Sequence, residues 1–288
     1  MKCFYHNDMD GRCAGSIVAQ YTNSNYPDDY FEVDYVQLLP IDKISKDETV
    51  YLVDYSFKLD TVWQLDKILS ITKNVIWADH HSSSLRLLEE RPDLKNIKGI
   101  IKDGISGAAL IYMYLYECEF EKCPLYIKTV SDYDTWAYKY GNNTICFKLG
   151  LETCKFDALD EIWKALYNDN FNEDPLAIFL AVGVNGEVIK DYIDEDNEYY
   201  LSQFGYESTL AGYKCYVVNK KSNSWIFGDK IKEYPFVVVY VFDGKQYVYS
   251  LFSENPNVDC SKIAESFGGG GNTGAAGFSS EKMLLYKN

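Results

Sequence analysis

Three short apolar segments in the first eighty residues each lead directly into acidic residues or histidines. These segments, 2–6, 50–53 and 74–78, are separated by helical patterns over 11–21 and 59–71 and by a strand-like segment over 31–37. Because short apolar strands that alternate with helices favour a parallel sheet covered on both faces, we predict an α/β fold. Ligands of such sheets bind beyond the carboxyl ends of the strands. The polar residues that follow the three segments are therefore predicted to share one site.

Histidine is rare in this chain, and all three copies lie in these acid-rich segments, at positions 6, 80 and 81. A metal centre of carboxylates and imidazoles needs histidine beside aspartate at neighbouring strand ends. The competing interpretation is three unrelated histidines on the surface or in the core. The repeated pattern favours a metal centre over that interpretation.

Six side chains are predicted to hold two divalent ions: His6, Asp8, Asp10, Asp54, His80 and Asp132. In an extended segment, the side chains at positions 6, 8 and 10 share one face. Where the strand becomes a loop, these side chains can point in different directions and bind two neighbouring ions. The two oxygens of Asp54 can bridge both ions. This oxygen-rich set with two imidazoles favours Mn²⁺, with Mg²⁺, Co²⁺ and Fe²⁺ as competitors.

Charge and cysteine usage exclude several classes of protein. The net charge of −15, from 28 basic and 43 acidic residues, disfavours long nucleic acid but allows a small phosphorylated molecule. The eight cysteines form no Cys-x-x-Cys pair, which argues against structural zinc and favours reduced thiols. We find no apolar run long enough for a bilayer and no signal-peptide pattern, so we expect a cytoplasmic protein without membrane association.

The pattern changes after about residue 206, where segments 213–219, 235–242 and 246–252 predict strands. A predicted helix over 258–267 then runs into a glycine run, Gly268, Gly269, Gly270 and Gly271, followed by Asn272. The 288 residues are long enough for two domains. We predict a metal-binding catalytic domain over 1–186, a connecting helix over 187–205, and a smaller α/β substrate-binding domain over 206–288.

Four segments resemble, in order, the motifs of the DHH phosphoesterase superfamily: His6-x-Asp8-x-Asp10-Gly11, Val53-Asp54-Tyr55-Ser56, Asp79-His80-His81 and Ser131-Asp132. Residues 258–264, the glycine run and residues 275–278 are similar to the carboxy-terminal domain of its DHHA1 branch. The resemblance covers nearly the whole chain. It implies metal-dependent hydrolysis of phosphodiester, phosphomonoester or phosphoanhydride bonds. The overall likeness is to the short-oligoribonucleotide hydrolases called nanoRNases.

The same resemblance implies a role for each ligand. One ion would be held by His6, Asp8 and Asp54, and the other by Asp10, Asp54, His80 and Asp132. Asp132 is preferred to Asp134 because family members place this ligand directly after a helix end, and residues 105–130 are predicted to be helical. His81 would face the scissile phosphate, and Asp79 would orient a histidine.

Substrate contacts are predicted at three further places. Ser106 stands at a predicted helix start and can contact phosphate there, or it is a plain N-cap. Arg86 can reach a phosphate from the turn after His81, or it is an exposed helix residue. The glycine run with Asn272 is interpreted as a cradle of backbone amides for phosphate, and the alternative is a flexible loop.

Two positions depart from the family pattern. Asn272 stands where the family usually has histidine, and Phe252 stands where many relatives have arginine. Both changes weaken charge pairing to a terminal phosphate, because neither side chain carries a charge. They put the best-known substrates of the family in doubt without affecting the metal ligands.

The predicted function is hydrolysis of dinucleotides and very short RNAs to nucleoside 5′-monophosphates by a two-metal mechanism. The alternatives are a cyclic mono- or dinucleotide phosphodiesterase, a 3′,5′-bisphosphonucleoside phosphatase, and a protein that sequesters nucleotides without hydrolysis. The oligomeric state, a homodimer included, stays open at this point.

Overall fold

The computed structural model describes residues 1–167, 174–221 and 224–287. The chain divides into two compact units, Met1–Lys190 and Asp191–Asn288. The first unit contains β1 (Lys2–His6), α1 (Met9–Thr22), β2 (Tyr30–Val33), β3 (Val50–Val53), α2 (Trp63–Ile71), β4 (Val75–Ala78), α3 (Ser82–Glu90), α4 (Gly107–Tyr116), α5 (Leu125–Asp134), α6 (Asn142–Leu151), α7 (Glu161–Tyr167) and the first half of α8 (Pro175–Phe204).

The first unit is built on a four-stranded parallel sheet with the order β2-β1-β3-β4. Neighbouring side chains of β1 enter different clusters, because successive residues of a strand face opposite sides. Cys3 and Tyr5 pack with residues of α1, α4 and α5, whereas Phe4 packs with residues of α2 and α3. Helices therefore cover both faces of the sheet, and the predicted α/β fold is confirmed.

Two predicted elements have different bounds in the structure. The strand predicted to begin at 31 ends at Val33, because the Asp34 carboxylate accepts hydrogen bonds from the amides of Val36 and Gln37 and turns the chain. The region predicted to be helical over 105–130 is two helices, α4 and α5. The second of these begins after Pro124 and continues to Asp134, beyond the predicted end.

The second unit contains the rest of α8, β5 (Tyr206–Leu210), β6 (Tyr213–Asn219), β7 (Phe236–Phe242), β8 (Tyr247–Phe252), α9 (Cys260–Glu265), β9 (Gly270–Gly271) and β10 (Ala275–Ser280). Its six strands form one mixed sheet with the order β5-β6-β7-β8-β10-β9, in which β6 and β7 are parallel. The predicted connecting helix is longer than expected, since α8 begins at Pro175 rather than at 187. The functional division into catalytic and substrate-binding domains stays a prediction.

None of the helices in the described residues is both long enough and apolar enough to span a bilayer.

Within the first unit, α6 and α8 cross with their backbones in direct contact. A Cβ atom added at Gly150 would lie 1.8 Å from the carbonyl oxygen of Val182, and one at Gly186 would lie 1.6 Å from that of Cys146. Only glycine allows this approach, because any side chain would force the two helices apart. Gly183, on the same helix, has no heavy atom within 4 Å of an added Cβ.

We predict that Gly186→Ala lowers the free energy of unfolding by about 2 kcal/mol or more, because the new methyl group overpacks the crossing. Gly183→Ala is the matched control. Its added methyl group meets open space, and alanine favours the helix, so it should stabilise by about 0.5 kcal/mol. Urea unfolding of the parent and both variants measures the difference. Equal stability of the two variants would contradict this account of the crossing.

Candidate metal centre

The residues that follow β1, β3 and β4 meet at one edge of the parallel sheet. Three overlapping groups offer ligand atoms that lie within 4.8 Å of one another. The groups are His6, Asp8 and Asp54; Asp54, His80 and His81; and Asp10, His80 and Asp134. Of the six predicted ligands, the structure thus brings together five, His6, Asp8, Asp10, Asp54 and His80, and it adds Asp134 in place of Asp132.

Asp54 lies at the middle of these groups. Its Oδ1 is 3.3 Å from His80 Nε2, and its Oδ2 is 3.9 Å from His6 Nδ1. The residue is 1% exposed, and neither oxygen accepts a hydrogen bond from the described residues. A buried carboxylate without donors is unfavourable unless a cation binds it. Two free oxygens that face two different histidines therefore fit a carboxylate that bridges cations.

The chain makes room for Asp54 at the start of α4. A Cβ atom added at Gly107 would lie 2.6 Å from the Asp54 Cβ, so a side chain there would displace the carboxylate. Asp54 itself has a φ of 54°, in the left-handed region that aspartate tolerates better than most residues. The position of the carboxylate is thus set by its own backbone and by a glycine on a neighbouring helix.

Asp10 is held by the amino terminus of α4. Its two oxygens accept hydrogen bonds from the amides of Gly107, at 2.6 Å, and Ala108, at 3.0 Å. The partial positive charge of a helix amino terminus stabilises a carboxylate. Asp10 Oδ2 also lies 3.9 Å from His80 Nε2. The first amides of α4 thus fix one candidate ligand close to another.

Ser106 is the N-cap of α4 and has no exposed surface. Its side chain accepts a hydrogen bond from the Ala109 amide, and its own amide donates to Ser131 Oγ. The structure therefore favours the N-cap interpretation over a contact with phosphate. Arg86 lies exposed on α3, which agrees with its interpretation as an exposed helix residue.

The preference for Asp132 over Asp134 is not supported by the structure. Helix α5 continues to Asp134, so Asp132 lies inside its last turn instead of after its end. The Asp132 carboxylate accepts hydrogen bonds from the amides of Lys139 and Tyr140 and from Thr144 Oγ1. Asp134 Oδ2 lies 3.1 Å from His80 Nε2 and accepts no hydrogen bond from the described residues. Asp134 is thus the candidate ligand, and Asp132 anchors the following loop.

Asp79 and His81 form a pair beside the centre. Asp79 is fully buried, and its two oxygens contact His81 Nδ1 at 2.7 Å and Ser84 Oγ at 2.5 Å. Because Nδ1 is engaged, the ring of His81 has Nε2 left for another partner. Burial disfavours the charged ring, but the hydrogen bond and the charge of Asp79 outweigh it and raise the pKa of His81.

Asp8 links the centre to the start of α1. Its Oδ2 is 2.7 Å from His6 Nδ1, and its Oδ1 accepts a hydrogen bond from the Gly11 amide as the N-cap of the helix. A Cβ atom added at Gly11 would lie 2.2 Å from the carbonyl oxygen of His6. The glycine of the first motif therefore allows the sharp turn from strand to helix that brings the two ligands together.

The carboxylates raise one another's proton affinity. Burial, followed by the charges of Asp10 and Asp8, holds the pKa of Asp54 well above its usual range. Burial is also the main cause of the raised pKa values of Asp10 and Asp134. Burial opposes ionisation of Asp8 as well, but the His6 ring and the Gly11 amide lower its pKa overall. Several acids that resist ionisation next to two imidazoles fit divalent cations, which replace the protons.

Tyr35 is a residue of this site that the sequence does not single out. Its ring lies 5.0 Å from that of His6 and 5.0 Å from that of Tyr55, and its hydroxyl accepts a hydrogen bond from Ser56 Oγ. The only signal is its position two residues after β2, at the same edge of the sheet as the ligands. The predicted strand was too long, which hid this position.

The glycine run lies in the second unit, where β9 pairs with β10. Added Cβ atoms at Gly269 and Gly271 would lie 2.1 Å from the Gly277 carbonyl oxygen and 2.5 Å from the Ala276 Cα. Close strand pairing thus accounts for these two glycines. Gly270 has no atom within 4 Å of an added Cβ. Gly268 and Asn272 are exposed. The phosphate cradle stays a prediction.

No protein-family model matches the chain. The uncharacterized protein R106 of Acanthamoeba polyphaga mimivirus is 23% identical over 240 residues, 82% of this chain and 54% of R106. The chain therefore spans about half the length of that relative. The oligoribonuclease NrnB of Bacillus subtilis is 23% identical over 299 residues, 96% of this chain and 72% of NrnB.

A solved structure shares the fold. The pGpG-specific phosphodiesterase PggH from Vibrio cholerae matches with a TM-score of 0.54 at 10% sequence identity, over 97% of this chain and 93% of that one. Together with the order of the motifs, these matches confirm the resemblance to the DHH phosphoesterases. The match to NrnB agrees with the likeness to the nanoRNases.

We predict that Asp134→Asn weakens binding of Mn²⁺ at least about tenfold, because an amide replaces an anionic ligand. Asp132→Asn is the matched control. It should bind Mn²⁺ like the parent protein and lower the melting temperature, because the loop after α5 loses acceptors for its amides. Titration calorimetry with Mn²⁺ and thermal unfolding measure the two effects. Loss of an ion in Asp132→Asn alone would restore the original assignment.

Proposed function

We propose that this chain is a metal-dependent phosphodiesterase that cleaves dinucleotides and very short oligoribonucleotides to nucleoside 5′-monophosphates. The observation that carries the proposal is the environment of Asp54, whose two oxygens face His6 and His80 and accept no hydrogen bond from the described part of the chain. This arrangement is suited to two ions that share one carboxylate. His6, Asp8 and Asp54 would hold one ion, and Asp10, Asp54, His80 and Asp134 the other.

The donor set determines which metals fit. Carboxylate oxygens with two imidazoles suit Mn²⁺, which we propose as the working ion, with Mg²⁺, Co²⁺ and Fe²⁺ as competitors. When bound, two divalent ions polarise the phosphoryl oxygens and lower the pKa of a water molecule. The protein contributes fixed ligand positions through the α4 amides on Asp10 and the room that Gly107 leaves beside Asp54.

His81 and Asp79 are proposed to act on the phosphate without being ligands. The Asp79 carboxylate fixes the His81 ring through Nδ1 and raises its pKa. A protonated His81 can stabilise negative charge on the phosphate and can donate a proton to the leaving oxygen. Because Asp79 also accepts from Ser84, its own position is fixed from two sides.

A cavity next to the centre supports a small phosphorylated substrate. It measures about 320 Å³, and its wall includes Asp8, Arg12, Tyr133 and Lys148. Arg12 and Lys148 bring positive charge to this wall, and each also pairs with a carboxylate, Arg12 with Glu32 and Lys148 with Glu152. A phosphate would therefore replace those carboxylates when it binds the two cations. A cavity of this size accommodates a small ligand and not a long strand.

The names of two similar proteins support phosphodiester cleavage in short nucleotides. NrnB is named an oligoribonuclease, and PggH is named a pGpG-specific phosphodiesterase. Because the name of PggH specifies a dinucleotide, dinucleotides are among the substrates to assay first. A cytosolic location is a prediction that we carry forward from the sequence, and the oligomeric state, a homodimer included, stays open.

The decisive variant is Asp54→Asn. With Mn²⁺ present, we expect kcat for a dinucleotide to fall at least about a thousandfold, since the shared ligand of both ions loses its charge. Asp42→Asn, at an exposed carboxylate 78% accessible at its side chain, should retain parental activity. Product analysis by chromatography measures both. Recovery of intact nucleotide from the parent protein would instead favour a sequestering protein.

A second prediction separates His81 from the ligands. His81→Ala should bind Mn²⁺ with parental stoichiometry while kcat falls about a hundredfold, because charge stabilisation at the phosphate is lost. Metal analysis and steady-state kinetics on the same preparation test both parts. A missing ion in His81→Ala would make His81 a ligand, in agreement with its place beside Asp54 and His80.

A further inference from the structure

The loop after α5, residues 135–141, carries three large exposed aromatic side chains. Trp136 is 66% exposed, Tyr138 is 41% exposed and Tyr140 is 40% exposed. Aromatic rings contribute most to stability when they are buried, so rings left in solvent add little to the fold. The exposure of three rings on one short loop therefore requires another explanation.

The backbone of this loop is held rigidly although its rings are exposed. Asp132, which is buried, accepts hydrogen bonds from four successive amides. Its carbonyl oxygen accepts from Ala137 and Tyr138, and its carboxylate accepts from Lys139 and Tyr140. A loop with so many of its amides bound to one buried residue has a defined conformation, and its backbone loses little entropy when a ligand binds.

That conformation is unfavourable for the residues that adopt it. Trp136 has a φ of 55° and Tyr138 a φ of 45°, both in the left-handed region where a bulky side chain is strained. Backbone strain of this kind clusters at functional sites and persists because the surrounding structure imposes it. Here the surrounding structure is the set of hydrogen bonds to Asp132.

Trp136 differs from the buried tryptophans in its contacts. The indole N–H groups of Trp77 and Trp163 donate to the carbonyl oxygens of Tyr55 and Phe156. In the parts of the chain that the structure describes, the Trp136 indole makes no hydrogen bond and no ring contact. Its π-face is therefore accessible to a partner from solution.

The position of the loop identifies the kind of partner. Trp136 follows the candidate ligand Asp134 by two residues, so their Cα atoms are at most about 7 Å apart. The base of a nucleotide whose phosphate lies at the metal centre is a flat aromatic group at a comparable distance. Stacking on an exposed aromatic ring is the usual way in which proteins hold bases without sequence preference.

We propose that Trp136 is a stacking platform for a nucleobase of the substrate, and that Asp132 is the positioning residue that holds this platform. The proposal rests on the proposed function, because it assumes a phosphodiester substrate that carries bases. It adds a source of specificity, since affinity depends on a base next to the scissile phosphate as well as on the phosphate. Every base has a π-face, so the platform accepts different short sequences.

Steady-state kinetics with Mn²⁺ on ApA and on an analogue that lacks one base tests the platform. For Trp136→Leu, we expect KM for ApA to rise about tenfold while kcat changes less than about threefold, as loss of one stacking contact predicts. ApA has two abasic analogues, one for each base. For the analogue that lacks the stacked base, the parent and Trp136→Leu should have the same KM. Trp136→Phe keeps a ring and should retain a KM for ApA close to the parental value.

Trp63→Leu is the matched control, because Trp63 is 46% exposed at the start of α2 and has no proposed contact with substrate. Its KM for ApA should equal the parental value. Equal KM values for the parent and Trp136→Leu, with parental melting temperatures, would overturn the platform while leaving the phosphodiesterase proposal intact. The exposed loop would then be a candidate contact for another protein.

A binding experiment separates the platform from catalysis. With Mn²⁺ held constant, AMP, which has no phosphodiester bond to cleave, should quench the tryptophan fluorescence of the parent protein, and ribose 5-phosphate, which lacks a base, should not. The quenching should disappear in Trp136→Leu and persist in Trp63→Leu. If the parent hydrolyses no nucleotide but shows this pattern, the proposed activity is wrong and the platform stands. Identical AMP quenching in the parent and Trp136→Leu would exclude the platform independently of any activity.

Discussion

Several buried carboxylates lie together at one edge of the parallel sheet, and many contacts of the first unit serve to stabilise them. Asp10, Asp54 and Asp79 are almost completely buried there, with Asp8 and Asp134 close by. Each would be unfavourable in isolation, because ionised carboxylates lose hydration when they are buried. Helix amides, histidine rings and a hydroxyl compensate several of these carboxylates, whereas both oxygens of Asp54 are buried without a hydrogen bond from the described residues.

Glycine has a related role on both sides of this edge. Gly11 lets α1 start against the backbone of His6, and Gly107 lets α4 start against Asp54. In both places the absence of a Cβ atom brings the amino terminus of a helix next to a carboxylate. Farther away, Gly150 and Gly186 allow α6 and α8 to cross closely. The candidate metal centre and the helical layer around it thus depend on the same steric property.

Strands that carry a simple apolar pattern are predictable from the sequence to the residue. β1 and β3 have the predicted bounds, because their buried side chains alternate or run without interruption and then stop at a polar residue. Five of the six predicted ligands lie at the ends of strands or a few residues after them, and these five meet in the structure. The preference for Asp132, which the structure does not support, has a specific cause. A helix end is set by capping and by the following loop, and a difference of two residues moves a side chain to another face.

Other features depend on contacts that no local pattern reveals. Tyr35 reaches His6 only because β2 lies beside β1, and the need for Gly186 depends on a helix that precedes it by more than thirty residues. The role of Asp132 as an anchor requires the path of a loop that the sequence does not specify. Long-range pairing, not weak local propensity, is the common reason for these omissions.

The left-handed backbone at Asp54 has a consequence for how such a centre can be lost over generations. Glycine, asparagine and aspartate are the residues that adopt this conformation with least strain. Of these three, aspartate alone carries the charge that the proposed pair of cations would require, and asparagine has nearly the same shape. A single exchange of an oxygen for a nitrogen can therefore remove the chemistry and leave the fold almost unaltered. A descendant that only binds nucleotides would be one small step from the proposed enzyme.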